Sequence, residues 1–301
     1  MNLAPITVFC YNRLDNLKST VFALQNNHLA SESDLIVFSD GPKNENDKIA
    51  VHQVREFLNT ITGFKTITIY LSPENKGLAN SIISGVKQVL SHYDSIIVLE
   101  DDLVSSNNFL DYMNGALHFY KDYNTVFSIT GYSIPIKNSS LYDNYFTKRS
   151  VSWGWATWKG RWELIDWEVK DYDYFKINNQ LRKDFNKMGS DMAGMLDRQM
   201  NHKINSWAIR WCYHQFKFNL FSVHPFASKI SNIGFDSIDA SNTKVKFNPF
   251  ETKLDNDNKI IFHFSDDINL NDSIINQFTK PFSIFSRIKY KFFNFFNELL
   301  S

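Results

Sequence analysis

The chain has 301 residues, of which 43% are hydrophobic, enough for one large domain or a domain with an appendage. Basic and acidic residues number 32 each, so the net charge is zero, which argues against a general nucleic-acid binder because such a protein carries a basic excess. Cys10 and Cys212 lie apart in apolar-aromatic runs, which favours two buried free thiols in a reducing compartment over a metal or redox pair.

The beginning of the chain, MNLAPITVFCYNR, has no basic region followed by a long apolar stretch, so we do not expect a secretory signal. No run in the sequence approaches the roughly 18 apolar residues of a membrane-spanning helix. These two observations predict a cytoplasmic protein.

Strands and helices alternate along the first 135 residues. Apolar runs ending in turn residues predict strands at 6–12, 34–42, 65–73, 95–102 and 125–135. Apolar residues at helical spacing predict helices at 15–27, 48–61, 77–93 and 107–123. Because each of the first four strands is followed by a helix that returns the chain, we expect an α/β fold with a mostly parallel central sheet and helices on both faces.

The composition changes near residue 140. Tryptophans concentrate in VSWGWATWKGRW (151–162), and aromatic residues stay frequent through 207–225. No long Gly/Ser/Pro linker and no internal repeat divides the chain, so we predict one domain over 1–250 with halves at 1–135 and 136–250. The polar stretch within 251–279 is predicted to be a linker or accessory segment.

Three adjacent acids end the fourth predicted strand, where SIIVLEDDLV runs into Glu100, Asp101 and Asp102. Adjacent carboxylates repel one another, so holding them together requires a cation or wide exposure to water. Their oxygens suit a hard divalent cation such as Mg²⁺ or Mn²⁺. The alternative is a solvated loop in which an aspartate caps the following helix.

Polar groups also follow the other predicted strands, at the carboxyl edge where parallel sheets bind ligands. Asn12 and Arg13 follow the first strand, and Asp40 follows the second, where it either binds a base or ribose or belongs to an Asp-Gly turn. Gly77 begins the third helix, whose N-terminus either favours a phosphate or is plainly capped.

Four segments resemble, in order and spacing, the nucleotide-sugar half of a GT-A fold glycosyltransferase: ITVFCYNR, VFSDGP, NKGLANSI and IIVLEDDLVSSNNFLDYMN. The similarity is to bacterial family-2-like enzymes and to related N-acetylglucosaminyltransferases in which Glu-Asp-Asp is the version of the Asp-X-Asp motif. SWGWATWKGRW and NSWAIRW resemble parts of the acceptor half of bacterial members that build surface polysaccharides. The resemblance thus makes 1–135 the nucleotide-sugar half and 136–250 the acceptor half of a catalytic domain.

The resemblance implies transfer of a sugar from a nucleoside diphosphate donor, with inversion, to a hydroxyl of a glycan or lipid-linked glycan. It implies that Asp102 ligates Mn²⁺ or Mg²⁺, that Glu100 and Asp101 shape the site and contact the ribose or donor sugar, and that Asp40 recognises the nucleobase. The other residues implied for the nucleotide pocket are Asn12, Arg13, Asn75 and Gly77.

The general base is the point at which this chain departs from the relatives. They carry a carboxylate just before the tryptophan of SWAIRW, where this chain has Asn205 and Ser206, neither of which is a base at neutral pH. We therefore predict Asp197 as the base, with Asp191 and Asp236 as alternatives.

Relatives often have a metal-binding histidine after NIGF, which is absent here; His224 or His263 is a candidate substitute, although a lone histidine is more often structural. Tryptophan faces suit sugar rings and also build cores. The predicted acceptor contacts are Trp153, Trp155, Trp207 and Arg210.

Residues 280–301 hold four basic residues, one acid and seven aromatics. Their spacing predicts an amphipathic basic helix that contacts a membrane surface, or else a helix docked on the protein's own core or on a partner chain.

Two other functions remain open. A sugar nucleotidyltransferase would show a glycine-rich basic loop after the first strand, which CYNRLDNLKS lacks. A non-catalytic sugar- or nucleotide-binding protein is favoured by the missing carboxylate before Trp207.

Overall fold

The computed structural model describes residues 2–137, 140–234 and 250–299. Its strands are Ile6–Cys10 (β1), Asp34–Ser39 (β2), Thr66–Leu71 (β3), Ser95–Glu100 (β4), Leu103–Ser105 (β5), Val126–Thr130 (β6), Asn144–Thr147 (β7), Trp155–Trp158 (β8), Phe221–Pro225 (β9) and Ile230–Asn232 (β10). Its helices are Leu14–Gln25 (α1), Lys48–Leu58 (α2), Leu78–Leu90 (α3), Phe109–Phe119 (α4), Lys159–Trp162 (α5), Tyr172–Ile177 (α6), Asn179–Phe185 (α7), Met192–Met200 (α8), Trp207–Lys217 (α9), Asp272–Thr279 (α10) and Ile284–Leu299 (α11).

Eight strands form the central sheet in the order β3-β2-β1-β4-β8-β6-β9-β7. The pairings of β3, β2, β1 and β4 are parallel, β8 runs antiparallel to both β4 and β6, and β9 is parallel to β6. Six strands therefore point the same way, and only β7 and β8 are reversed. The predicted α/β fold with a mostly parallel sheet flanked by helices is confirmed.

The buried side chains of β1 alternate between two cores. Ile6 and Val8 face a core shared with α1 and α2, while Phe9 faces a core shared with α3 and α9. This alternation follows from the period of two along a strand, and it requires helices on both faces to exclude water. Cys10 and Cys212 are buried free thiols, as predicted.

The second half contains structure that the composition alone did not reveal. The tryptophan-rich segment supplies β8, which lies in the middle of the sheet between β4 and β6. A two-stranded ribbon of β5 and β10 starts directly after the acids that end β4. Residues 250–271 carry no helix or strand and pack on the first core through Phe262 and Phe264, and α10 follows.

The predicted C-terminal helix is present as α11. Phe278 and Phe282, which precede it, are buried in the domain. Five apolar side chains of α11 are 47% to 79% exposed: Ile284, Phe285, Ile288, Phe292 and Phe293. Across the described ranges, every helix is too short or too polar to span a bilayer.

Candidate functional site

The acids that follow β4 lie beside the loop that follows β1. These two strands are parallel neighbours, and Phe9 pairs with Glu100 at their carboxyl ends. The Tyr11 backbone N–H donates to Asp101 Oδ2 at 3.2 Å. The Arg13 guanidinium donates to Asp102 Oδ2 at 2.9 Å through Nη1, and to Asp101 Oδ1 through Nη2. Parallel pairing thus brings three of the predicted site residues into direct contact.

One arginine faces three acids in this cluster. Asp101 and Asp102 are only 3% and 9% exposed. Burial, and then the negative charges of Asp102 and Asp101, raise the pKa of Glu100 to about 8. Burial raises the pKa of Asp101 to about 6, although Arg13 opposes this shift. Because three carboxyl groups share one guanidinium, the cluster favours the binding of a second cation.

Asp102 lies beneath the segment that follows β10. Its carbonyl accepts a hydrogen bond from the Ile233 N–H at 2.9 Å, and a Cβ at position 234 would overlap Oδ2 of Asp102, so only glycine fits at Gly234. Arg13 occupies Oδ2, and no described residue bonds Oδ1. Over the described ranges, no three His, Cys, Asp or Glu side chains are arranged to hold a metal. The residues fit a hard cation that takes one oxygen from Asp102 and the remaining ligands from phosphate and water.

Asp40, in the loop after β2, is bonded to the loop that leads from β3 into α3. Its Oδ1 accepts from the backbone N–H groups of Gly41 and Lys76 at 3.0 and 2.9 Å, and its Oδ2 accepts from the Gly77 N–H at 3.0 Å. Gly77, the N-cap of α3, has φ 74° and ψ 153°, a conformation essentially restricted to glycine. The anion at this helix N-terminus is therefore Asp40 itself, and recognition of the nucleobase by Asp40 stays a prediction.

The loops after β1, β2 and β3 are tied together by polar side chains. Asn12 Nδ2 donates to Asp47 Oδ1 at 3.2 Å, and Asn75 Nδ2 donates to the Gly41 carbonyl at 2.9 Å. The Lys43 N–H donates to the Tyr11 hydroxyl at 2.9 Å. These bonds shape the crevice edge.

Arg55 on α2 is a residue that the sequence reasoning missed. Its Nη2 donates to the carbonyls of Asp40 and Ser72 at 3.2 and 2.6 Å, so it joins the ends of β2 and β3. A signal was available, because Arg55 stands one helical turn after the buried Val51 and so lies toward the sheet.

Both described candidates for the base are held by arginines. Asp197 receives Arg182 Nη1 and Nη2 at 2.8 and 2.6 Å, and these bonds lower its pKa. Asp191 receives Arg149 Nη1 and Nη2 at 2.9 Å each, and this pairing lowers its pKa although burial opposes the shift. Each carboxylate is neutralised by its own arginine and is a weaker base for it. Asp236 lies outside the described residues.

Two of the predicted acceptor tryptophans are core residues. Trp155 and Trp207 are 1% and 3% exposed, and both pack against Trp211, with ring centroids 4.5 and 5.2 Å away. Because neither indole face is open, the structure gives them a packing role in place of sugar contact. Trp153 is partly buried against the Tyr132 ring. The remaining predicted contact, Arg210, donates to the carbonyls of Ser206 and Trp167.

The two histidines considered as metal ligands have other surroundings. His224 is fully buried, its Nε2 lies 3.0 Å from Thr147 Oγ1, and burial lowers its pKa to about 4. His263 is largely exposed, with its Nδ1 3.9 Å from Asp143. Neither belongs to a group of three potential ligands in the part of the chain that is described.

A cavity of about 270 Å³ lies beyond the end of β9. Two ion pairs line it, Lys229 with Asp255 and Lys259 with Asp143, together with the Phe262 ring. Since β9 points the same way as β4, this cavity and the acids lie at the same edge of the sheet.

The solved structures to which this chain is similar include three proteins of low sequence identity. The mannosyltransferase PcManGT from Pyrobaculum calidifontis, in complex with GDP-Man and Mn²⁺, is 13% identical with a TM-score of 0.34, over 52% of this chain and 47% of that one. Residues 1–349 of TarS from S. aureus are 12% identical with a TM-score of 0.33, over 56% of this chain and 49% of that one. An active-site mutant of LgtC is 12% identical with a TM-score of 0.36, over 57% of this chain and 65% of that one. The chain spans about half the length of the first two, and similarity at this level carries no functional conclusion.

No curated protein matches the chain. The model of the family described as glycosyl transferase family 2 matches residues 6–204, which include every element from β1 to α8 and all three acids at the carboxyl end of β4. That match extends over more than half of the chain, and the protein therefore belongs to glycosyl transferase family 2.

Proposed function

We propose that the protein transfers a sugar from a nucleoside diphosphate sugar, most directly a UDP-sugar, to a hydroxyl of a growing glycan. The observation that carries the proposal is the contact of Arg13 with Asp101 and Asp102, at the carboxyl edge of a parallel sheet in a family 2 chain. Ligands of open α/β sheets bind at this edge. The donor accordingly binds across the ends of β2, β1 and β4.

The donor-edge residues divide the work of holding a diphosphate. Asp102 would hold Mn²⁺ or Mg²⁺, which when bound neutralises charge on the departing diphosphate. The Arg13 guanidinium lies beside Oδ2 of Asp102 and offers a further positive charge to the diphosphate. Asp40 and Asn75 fix the loop that carries Gly77, whose added Cβ would meet nothing within 4 Å, so the pocket is open at that point.

The cavity beyond β9 is our candidate for the acceptor glycan. Support comes from the β5–β10 ribbon, in which Asn232 pairs with Leu103, the residue after Asp102, while the Lys229 carbonyl accepts from the Ser106 N–H at the other end. Lys229 and Asn232 are three positions apart along the strand, about 10 Å at 3.3 Å per residue. An acceptor held at Lys229 thus lies within reach of the donor sugar.

Inversion requires one base near the acceptor hydroxyl. Asp197 and Asp191, the predicted bases, hold their arginines through both oxygens, so either can take a proton only after its ion pair opens. The pH profile of transfer in Asp197→Asn and Asp191→Asn tests this role, because loss of the base removes the acidic limb of the profile.

The exposed apolar residues of α11 support a peripheral contact with a membrane surface. Phe285, Ile288 and Phe292 are 79%, 61% and 60% exposed, and Arg287 and Lys289 supply positive charge for anionic lipid. Such a contact suits assembly of a surface polysaccharide or glycoconjugate on a lipid-linked acceptor in a bacterium. Co-sedimentation with anionic vesicles, lost on Phe285→Ser/Ile288→Ser, is the measurement.

Donor hydrolysis tests the enzymatic proposal. We expect Mn²⁺-dependent release of UDP from a panel of UDP-sugars, and at least a 100-fold loss in Asp102→Asn, because metal stabilisation of a leaving group contributes several kcal/mol. The matched control is Asp15→Asn, which removes a 97%-exposed carboxylate from α1. Turnover that survives in Asp102→Asn would overturn the metal assignment.

The ion pairs at Asp191 and Asp197 favour one alternative, a non-catalytic protein that binds nucleotide-sugars. The same panel separates the two functions. Thermal stabilisation by a UDP-sugar without any release of UDP, with or without acceptors, supports the binding protein.

A further inference from the structure

The carboxylate pair holds a protein cation beside the oxygen of Asp102 that a metal ion would take. Arg13 Nη1 is bonded to Oδ2 of Asp102, and Arg13 is the one described cation paired with that residue. Asp101 has additional support, because the Tyr11 N–H donates to its second oxygen at 3.2 Å. Loss of Arg13 would therefore leave Asp101 held and Asp102 without its counter-charge.

We propose that Arg13 is a latch: its guanidinium holds Asp102 before the donor arrives, competes there with the divalent cation, and moves to the diphosphate when the donor binds. This inference rests on the proposed function, since the diphosphate is the group that draws Arg13 away. Arg13 would thus contact Asp102 in the absence of donor and the diphosphate in its presence.

The attachment of Arg13 permits such a movement. Its backbone is fixed as the residue before α1, where its carbonyl accepts from the Leu17 N–H at 3.0 Å. The side chain is 18% exposed and uses separate nitrogens for the two acids, Nη1 for Asp102 and Nη2 for Asp101. The guanidinium can thus release Asp102 by a side-chain rotation while the backbone and the Asp101 contact remain.

Competition follows from the small size of the site. A metal ion on Asp102 would lie within a few ångströms of Nη1, and two cations this close repel each other. Each lowers the affinity of Asp102 for the other, and the coupling is reciprocal. A bound diphosphate changes the coupling between Arg13 and the metal ion from unfavourable to favourable, because its negative charge attracts both cations.

The test measures Mn²⁺ binding without turnover, from the paramagnetic resonance of free Mn²⁺ during titration, first without nucleotide and then with UDP. We expect Arg13→Gln to bind Mn²⁺ about tenfold more tightly than wild type without nucleotide, and to bind UDP with Mn²⁺ about tenfold more weakly, within the usual range of coupling between sites. Arg13→Lys keeps the charge but cannot bridge two acids in the same fork geometry, so we expect intermediate values.

The control is Lys18→Gln, which removes a 51%-exposed positive charge from the adjacent helix and should change neither affinity. An unchanged or weaker Mn²⁺ affinity in both Arg13 variants overturns the latch, as does an absence of Mn²⁺ binding in all variants.

The outcomes also separate the latch from the function on which it rests. Donor hydrolysis by wild type, with Mn²⁺ binding insensitive to Arg13, leaves the glycosyltransferase proposal standing and removes the latch. Tighter Mn²⁺ binding by Arg13→Gln, with no binding of UDP or any UDP-sugar by wild type, removes the donor proposal and keeps the competition between Arg13 and metal.

Discussion

The acids at the carboxyl end of β4, our proposed donor edge, and the acids within residues 136–250, our proposed acceptor half, are compensated in opposite ways. At the donor edge Arg13 is the one described cation paired with Asp101 and Asp102, and Glu100 lies beside them. In the acceptor half Asp191 and Asp197 each have an arginine of their own, bonded through both oxygens. The same residue types thus make an under-neutralised cluster in one place and closed ion pairs in the other.

This difference predicts that the two groups of acids affect the stability of the fold in opposite directions. A closed pair attracts no further ion, because both of its charges are already met. An under-neutralised cluster costs stability in the resting protein and gains most when a cation binds, as expected of a binding site. The paired acids of the acceptor half should therefore support the fold, while those of the donor edge should oppose it.

Breaking a closed pair should have the largest effect. Arg149→Leu leaves Asp191 unpaired where both side chains are about one-seventh exposed, and it removes the guanidinium from the Phe282 ring 3.9 Å away. We expect a loss of about 3 kcal/mol in the free energy of unfolding, because a buried charge is left without its partner. Urea denaturation followed by tryptophan fluorescence measures it.

The control for this variant is Lys217→Leu, which breaks a pair with Asp171 that is about one-third exposed and should cost less than about 1 kcal/mol. Equal losses in Arg149→Leu and Lys217→Leu would show that the closed pair has no special role.

The second largest effect should be a loss of folding stability on acidification, caused by the buried His224. Burial lowers the pKa of His224 to about 4, whereas an unfolded histidine titrates near 6.5, so the unfolded chain binds more protons between these values. The stability from neutral His224 is complete above about pH 6.5 and is lost as the pH falls toward 4. At about 1.4 kcal/mol per pH unit, we expect the wild type to lose about 2 kcal/mol more than His224→Gln between pH 6.5 and 4.5.

Urea denaturation at several pH values measures the two slopes. His52→Gln removes a largely exposed histidine from α2 and should follow the wild type. Parallel pH profiles of wild type and His224→Gln would rule out this origin of acid sensitivity.

The smallest expected effect is a gain in stability, in contrast to the two losses above. Asp102→Asn removes one of the charges that repel Glu100 and Asp101, while its amide oxygen can still accept from Arg13. In the presence of a chelator we expect this variant to be about 1 kcal/mol more stable than wild type, a gain typical of a functional site relieved of strain. Thermal and urea denaturation at pH 8 test the sign, and a less stable Asp102→Asn would contradict the contrast between the two regions.

Much of the donor half could be predicted because its signals are local. The buried strand ending at Glu100 and the helix begun at Gly77 follow from apolar periodicity and from glycine conformation over a few neighbouring residues. Parallel order then placed the ends of β1, β2 and β4 together. The family resemblance had the same basis, a set of short motifs in order.

The acceptor half could not be predicted in the same way, because its packing decides what each residue does. Trp155 lies on a strand of four residues, too short for a clear alternation, and its burial depends on Trp207 and Trp211 arriving from α9. Asp197 is fifteen residues from Arg182, and only the packing of α7 on α8 makes them a pair.

The sequence by itself determined the alternation of strands and helices, the cluster of acids at a strand end and the membership of family 2, because each depends on residues close along the chain. The tertiary structure decided which charges are balanced. Arg13 and Asp101 are 88 residues apart and Arg149 and Asp191 are 42 apart, so no local pattern couples them. Whether an acid stays under-neutralised or forms a closed ion pair depends on the partner that folding brings to it.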